Sequence, residues 1–176
     1  SHILAGTIPN CVSYDPTFAH EVGVIMQHGL KRMVEKQENV FYYLTLLNEN
    51  YAMPGLQPGT EEQIIKGMYL CKPGAEGLPQ RVQLLGSGTI LRESIAAQAL
   101  LAQDWGIAAD VWSCPSFNEL ARDGQDADRW NLLHPTETPR KSFVQQQLES
   151  SSGPVIASTD YMKNYAEQIR SFIPAG

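Results

Sequence analysis

The sequence predicts an α/β protein with a mostly parallel sheet, and three observations support that class. Apolar runs of strand length alternate with helical segments along the second half of the 176-residue chain. The run at residues 40–46 is almost continuously apolar, as in strands covered on both faces. Hydrophobic residues make up 43% of the chain and charged residues 18%, a composition typical of globular rather than disordered proteins.

The first half of the chain predicts a helix between two strands. Residues 1–13 are irregular, with a strand expected around Val12. Asp15 is suited to cap the helix and Pro16 to occupy its first position. Apolar residues then recur at helical spacing to about residue 34, namely Val22, Ile25, Met26, Leu30 and Met33. The strand at residues 40–46 follows this helix.

The second half predicts regular alternation after a linker. A helix at 61–67 and a strand at 68–71 lead into residues 72–79, where Pro and Gly are concentrated and a domain boundary is expected. The expected elements beyond it are a strand at 81–85, a helix at 90–103, a strand at 108–113, helices at 116–122 and 141–148, a strand at 154–158 and a helix at 161–172. This order implies parallel strands joined by right-handed crossovers.

Composition excludes several classes of protein. The net charge is −6 and the pI about 5.2, which argues against nucleic acid as a partner. No apolar run reaches the roughly 18 residues of a membrane span, and no signal peptide is expected. Cys11, Cys71 and Cys114 are widely spaced, so we expect free thiols in a reducing cytoplasm rather than disulfides or a zinc site.

Two motifs have ordinary interpretations. Gly86-Ser87-Gly88 lies between a strand and a helix, but Leu91 stands where a dinucleotide-binding turn has its third glycine. A plain strand–helix turn that needs small residues is the better account. His20 and His28 lie on one helix without a third ligand, so we expect no metal site.

Polar residues after the strand at 40–46 are candidates for pocket lining. Ligands of open α/β sheets bind beyond the carboxyl ends of strands, which points to Asn48, Glu49 and Tyr51. Glu49 would act as an acid or base if it were desolvated; alternatively, this stretch only satisfies loop backbone groups. His2 is a further candidate, either projecting into a pocket or serving as a structural donor.

A polar stretch at residues 116–140 surrounds one indole ring with charges and ends in breakers at 134–139. Its candidate interface residues are Arg122, Asp123, Asp126, Arg129 and Trp130. A large amphipathic ring gains most when it is packed, which favours an interface within a larger protein or dimer over a solvated helix end.

Seven runs in the chain together resemble one family. They are residues 5–11 (AGTIPNC), 36–40 (KQENV), 47–51 (LNENY), 82–88 (VQLLGSG), 119–126 (ELARDGQD), 129–131 (RWN) and 157–163 (ASTDYMK). The family they resemble is the homodimeric pyruvate dehydrogenase, the thiamine-dependent first component of the bacterial pyruvate dehydrogenase complex. By resemblance, residues 1–71 are the C-terminal part of a pyrimidine-binding domain, 72–79 are a linker, and 80–176 are a transketolase C-terminal-like domain cut before its last strand.

The resemblance also implies an activity for a longer parent protein. Members decarboxylate pyruvate oxidatively with thiamine diphosphate and magnesium, as homodimers, and pass the acetyl group to lipoyl groups of the acetyltransferase component. The family's GDG motif, its activating glutamate and its principal active-site histidines are not in these residues. We therefore assign no catalytic, cofactor-binding or metal residue here, and expect the chain alone to be inactive and to bind no cofactor. A transketolase-like enzyme and a non-catalytic interaction domain are the alternatives.

Overall fold

The computed structural model describes residues 1–174, which fold into two β-sheets flanked by helices. The elements in chain order are α1 (His2–Gly6), β1 (Cys11–Tyr14), α2 (Ala19–Leu30), β2 (Phe41–Leu44), α3 (Glu61–Lys66), β3 (Tyr69–Lys72), β4 (Gln80–Gly86), α4 (Ile90–Trp105), β5 (Ile107–Ser113), α5 (Phe117–Leu133), α6 (Phe143–Leu148), β6 (Val155–Ser158) and α7 (Asn164–Glu167). A π-helical run, Lys31–Glu35, continues α2, and a 3-10 turn, Arg170–Phe172, follows α7.

The larger sheet has four strands in the order β3-β5-β4-β6. Strands β4, β5 and β6 are parallel, whereas β3 runs antiparallel to β5. Gly86 pairs with both Ser113 and Ser158, so the parallel strands end together at one edge of the sheet. The smaller sheet pairs β1 with β2 in parallel. The α/β class with a mostly parallel sheet is therefore confirmed.

Successive residues of the central strands point to opposite faces of the sheet and pack in different parts of the core. Leu85 and Trp112 face a cluster with α5, α6 and α7, whereas Leu84 and Val111 face a cluster with α4. This follows from the two-residue period of a strand, whose side chains alternate between faces. The four-stranded sheet is thus covered by helices on both faces.

The smaller sheet packs against α2 and α3. Val12 and Tyr14 of β1 contact the fully buried Ile25 of α2 and Ile64 of α3. Tyr69 of β3 belongs to the same cluster, although its strand pairs in the larger sheet. The apolar cluster of the smaller sheet therefore includes a residue of the larger sheet.

The second helix begins later than the sequence predicts. It starts at Ala19, and its first turn is capped by Glu21, whose carboxylate accepts the backbone N–H groups of Thr17 at 2.5 Å and Phe18 at 3.0 Å. The prediction that Asp15 caps this helix is wrong. Its carboxylate instead accepts hydrogen bonds from Thr45 and Ser87, which follow other strands. A Glu at the third helical position can reach back in this way.

Helix α5 is much longer than predicted. The sequence places its end near residue 122, but it continues to Leu133. Small residues lie on its buried face, including Gly124, where an added Cβ would collide with the Phe172 ring. The charged residues that make this stretch look like a loop in the sequence lie on the outer face of an amphipathic helix.

Two further expectations need correction. Strand β2 is not covered on both faces, since Phe41 is 45% exposed. By contrast, the strand predicted at 68–71 is confirmed as β3, and it joins the larger sheet. The final helix is also shorter than predicted, because α7 ends at Glu167 and a 3-10 turn replaces its continuation.

Glu21 is expected to be among the most sensitive polar positions. It is 0% exposed and accepts four hydrogen bonds, from Thr17, Phe18, Tyr69 and Ser113. Replacing Glu21 with Gln turns an amide N–H toward donors, and we expect a loss of about 3 kcal/mol in the free energy of unfolding. The exposed Glu35→Gln is the control, with a change within about 0.5 kcal/mol by urea denaturation. Equal effects of the two substitutions would contradict this.

Candidate functional site

Polar side chains from the two sheets meet where parallel strands end. The residues concerned follow β1, β2, β4 and β6, or precede β1 in α1. We call them the strand-end cluster, and its members are His2, Asp15, Thr45, Ser87 and Tyr161. The carboxyl ends of parallel strands are where α/β proteins place ligands.

Asp15 is the centre of this cluster. Its Oδ1 accepts hydrogen bonds from Thr45 Oγ1 at 2.6 Å and from Tyr161 OH at 3.3 Å, and its Oδ2 accepts one from Ser87 Oγ at 3.1 Å. The residue is only 6% exposed. Its backbone N–H donates to Pro115 O at 2.6 Å, and its carbonyl accepts from Gly88 N–H at 3.0 Å. Asp15 therefore bonds to segments that follow four different strands.

His2 lies behind Thr45, and its ring is 1% exposed. Its Nε2 is 2.8 Å from Thr45 Oγ1. Thr45 gives its single proton to Asp15, so His2 must donate through Nε2–H. The rings of Tyr43, Tyr161 and Tyr165 surround it, with centroids at 5.0–5.2 Å. Among the described residues, Nδ1 finds no hydrogen-bond partner.

Burial is the main influence on the charge of His2. Desolvation lowers the pKa of the imidazole below its ordinary value, whereas the Asp15 carboxylate acts in the opposite direction. The ring is therefore neutral at pH 7. Of the two interpretations from sequence, the contacts favour the structural donor, since His2 supports Thr45 from within the core.

A small cavity opens beside the cluster. Its volume is about 80 Å³, and its lining comprises Asp15, Pro16, Thr45, Leu46, Leu47, Gly88, Thr89, Asp160 and Tyr161. Two carboxylates and no basic side chain face it. A larger groove of about 570 Å³ follows the outer edge of β6, but it lacks a comparable convergence of buried polar groups.

Two of the predicted pocket residues, Glu49 and Tyr51, contact the same side chain, Arg92. Glu49 pairs with Arg92, with 2.9 Å between Oε2 and Nη1, and the Arg92 guanidinium lies 4.3 Å from the Tyr51 ring centre. Tyr51 OH donates to Thr17 O. The Glu49 side chain is 53% exposed, so the desolvation that would make it an acid or base is not present. Asn48 is exposed.

The candidate interface residues divide into two groups. Arg122 donates to Cys11 O at 2.8 Å and Ile8 O at 3.0 Å, and Asp123 accepts the Phe143 N–H. These two side chains thus join parts of this chain. Asp126 and Arg129 are exposed on the outer face of α5.

Trp130 lies near the end of α5 and packs against the loop that follows. Its ring stacks on His134, with 4.5 Å between centroids, and the Arg140 guanidinium lies 4.0 Å from the ring centre. Packing of the indole, expected from the sequence, is thus provided by its own chain. The prediction of an interface with another subunit is neither supported nor opposed by these contacts.

Sequence reasoning missed the residues that the structure makes central. From sequence alone Asp15 fits a helix cap, and no motif distinguishes Thr45, Ser87 or Tyr161. A usable signal existed, because each of the four lies within three residues of a strand's carboxyl end. Glu21 carried no such signal, since a Glu in the first turn of a helix is common.

The described part of the chain contains neither a cluster of metal-ligating side chains nor a helix suited to span a membrane. Among residues 1–174, no three His, Cys, Asp or Glu side chains gather closely enough to hold a metal ion. Within the same residues, none of the helices has the length and apolar character needed to cross a membrane. Cys11 and Cys114 are buried and Cys71 is partly buried, all as free thiols, as expected.

Family models divide the chain into two matched segments. Residues 1–54 match the pyruvate dehydrogenase E1 component middle domain, and residues 67–173 match the transketolase-like TK C-terminal domain. The chain belongs to the transketolase-like C-terminal domain family. The transketolase C-terminal-like fold expected from the seven runs is thereby confirmed.

Individual relatives are similar along the whole chain. The pyruvate dehydrogenase E1 components of Cupriavidus necator and Pseudomonas aeruginosa are 59% and 57% identical over 175 residues, and that of Escherichia coli is 57% identical over 176. Each match covers 99% of this chain but 20% of the relative's length, so the chain spans about a fifth of these proteins. The resemblance to the pyruvate dehydrogenase first component is confirmed. A crystal structure of a transketolase mutant from Pichia stipitis matches with a TM-score of 0.47 and 16% identity, over 93% of this chain and 23% of that one.

Gly88 is expected to tolerate no side chain. Its φ is +53°, and an added Cβ would lie 2.5 Å from the Asp15 carboxylate. Gly106 is a matched control, because its φ is +64° with open space around it. Left-handed backbone costs an alanine about 1 kcal/mol at either site, and the collision adds about 2 kcal/mol at residue 88. Urea denaturation of Gly88→Ala and Gly106→Ala measures the difference, and equal losses would refute the close approach.

The lowered pKa of His2 predicts a pH dependence of stability. The unfolded chain takes up a proton at this residue near pH 6.5, whereas the folded chain does so only at lower pH. The free energy of unfolding therefore falls as the pH drops through this window. Between about pH 7.5 and 5.5, His2→Gln should lose less stability than the unmodified protein does. His28, whose pKa burial also lowers, is present in both proteins and cancels in the comparison. An equal or larger loss in the variant would contradict the assignment.

Proposed function

We propose that this chain is a segment of a longer enzyme, a thiamine diphosphate-dependent pyruvate dehydrogenase first component. The observation that carries the proposal is the identity of 57–59% with proteins of that name along 99% of the chain. The match of residues 1–54 to the middle domain of that component adds support, because it covers the part outside the C-terminal domain.

The proposed parent enzyme decarboxylates pyruvate oxidatively and transfers the acetyl group to lipoyl groups of the acetyltransferase component. It would link glycolysis to acetyl-CoA synthesis in the cytoplasm, as a homodimer. Thiamine diphosphate, with magnesium, would supply the electron sink for the carbanion that decarboxylation leaves.

The residues of this chain do not themselves fit a diphosphate group. The strand-end cavity presents Asp15 and Asp160 and no basic side chain, so a diphosphate there would meet like charge. Its volume of about 80 Å³ is also far below that of ordinary cofactor pockets. We therefore propose that diphosphate and magnesium are held by parts of the parent outside this chain.

The described residues support a positioning role for this segment. The strand-end cluster fixes the start of the 45–60 segment, which carries Asn48, Glu49 and Tyr51. We propose these three residues as the lining of one wall of the parent's pocket, with His2 supporting Thr45 from within the core. Asp126, Arg129 and Trp130 remain the proposed contacts with the second subunit, and Arg122 and Asp123 would hold that surface in place from within the chain.

We also retain the proposed domain division at residues 72–79. The pairing of β3 with β5 means that the chain enters the larger sheet before this linker. The proposed division therefore does not separate two independent sheets. The part of the chain before the linker would contribute β3 to the sheet of the part that follows it.

The proposal is tested by assaying the full-length protein with thiamine diphosphate and magnesium. We expect pyruvate-dependent reduction of an artificial electron acceptor, and no reduction when the cofactor is omitted. Acetyl transfer to a lipoyl domain should follow under the same conditions. Turnover of ketose phosphates without turnover of pyruvate would replace the proposal with a transketolase-like enzyme, and inactivity with both substrates would favour an interaction domain.

A further inference from the structure

Arg92 of α4 contacts two residues of the segment that follows β2. Its Nη1 lies 2.9 Å from Glu49 Oε2, and its guanidinium carbon lies 4.3 Å from the ring centre of Tyr51. Glu49 and Tyr51 belong to the segment at 45–60, which leaves the smaller sheet, whereas α4 packs on the larger sheet. One side chain thus connects the proposed pocket wall to the other sheet.

This ion pair differs in its span from the others in the described part of the chain. Among residues 1–174, it is the only ion pair that joins a residue before the linker at 72–79 to a residue after it. The remaining pairs lie within one part, as Glu167 and Arg170 do three positions apart. The contact between Arg92 and Glu49 therefore crosses the proposed domain division.

Thr17 fixes both ends of this connection. Its carbonyl accepts the Tyr51 hydroxyl proton, and its Oγ1 donates to Gly88 O at 2.6 Å, in the turn just before α4. Phe18 adds an edge contact to the Tyr51 ring, with 6.4 Å between centroids. Because the ring and the start of α4 are both held, the Arg92 guanidinium has a defined aromatic face on which to lie.

Glu49 lacks an anchor of this kind. Its side chain is 53% exposed, and among the described residues its carboxylate accepts a hydrogen bond only from Arg92. A planar guanidinium can pair with a carboxylate and stack on an aromatic ring at the same time, which a lysine ammonium does less well. The direction of the Glu49 side chain therefore depends on Arg92.

We propose that Arg92 is a positioning residue that fixes Glu49 and the face of Tyr51 in the wall of the parent's pocket. This rests on the proposed function, because the wall belongs to a pyruvate pocket only if the parent is the proposed enzyme. Arg92 acts through these two side chains and not on the reactants. An exposed ion pair adds little to folding stability, so its effect on the wall can be separated from unfolding.

Steady-state kinetics of the full-length protein, with thiamine diphosphate and magnesium, test the proposal. Arg92→Met should raise KM for pyruvate about tenfold with kcat within about twofold, because a displaced wall weakens the binding of substrate and transition state alike. Arg92→Lys should recover part of the loss, since it keeps the charge without the stack. The control is Arg170→Met, which also removes an arginine from an exposed ion pair and should leave both constants unchanged.

A double-mutant cycle shows whether Arg92 acts through Glu49. In a protein that carries Glu49→Ala, Arg92→Met should raise KM by a smaller factor than it does alone, because the ion pair is already lost. Factors that simply multiply would overturn the proposal. So would an unchanged KM in Arg92→Met, an equal rise in Arg170→Met, or a fall in kcat that accompanies loss of folded protein.

The structure of full-length Arg92→Met separates failure of this proposal from failure of the proposed function, because it needs no turnover. Electron cryomicroscopy should show Glu49 turned away from α4, while the Tyr51 hydroxyl keeps its contact with Thr17 O. This displacement in a protein that is inactive with pyruvate would refute the proposed function alone. Glu49 and Tyr51 in unchanged positions would overturn the positioning role, whatever the activity.

Discussion

Two buried carboxylates, Asp15 and Glu21, hold the two sheets of this protein in one arrangement. Asp15 joins the end of β1 to the segments that follow β2, β4 and β6. Glu21 joins the start of α2 to β3 and β5. A buried carboxylate is costly unless its oxygens are fully bonded, so these networks stabilise only the geometry in which every donor is present. The relative placement of the sheets is therefore specified by polar contacts as well as by the shared apolar core.

We call the hydrogen bonds that Asp15 and Glu21 make between the parts of the two sheets the polar seam, and this seam explains why the strand ends form a site. Parallel register brings Gly86 and Ser158 to one edge of the larger sheet, while Leu44 ends its strand in the smaller one. The Asp15 network then brings that strand end into contact with the larger sheet's edge. Additional polar contacts extend the seam behind the cluster, with Asn118 donating to His2 O at 2.8 Å and to Ser13 Oγ at 2.6 Å. The segment at 45–60 therefore begins at a position that hydrogen bonds fix to both sheets.

Local sequence pattern predicted the strands and the turn at Gly88 well, because both depend on neighbouring residues. The alternation of elements in the second half and the strand at 80–86 follow from apolar runs and glycine. The start of α5 was predicted, but its continuation beyond residue 122 was not, because its outward charges hide a buried face of small residues such as Gly124. The role of Asp15 was missed for a different reason: a carboxylate near a helix start fits a cap equally well. Its true partners, Thr45, Ser87 and Tyr161, lie far away in sequence, and no periodicity links them.

The most direct test of a single coupled unit is native-state hydrogen exchange in rising denaturant. Amides of β2 report on the smaller sheet, and amides of β4 report on the larger one. If the polar seam couples the sheets, both sets should open with the same free energy, and Asp15→Asn should lower both by the same amount. Opening of β2 at low denaturant while β4 stays protected, with Asp15→Asn affecting only one set, would contradict the account.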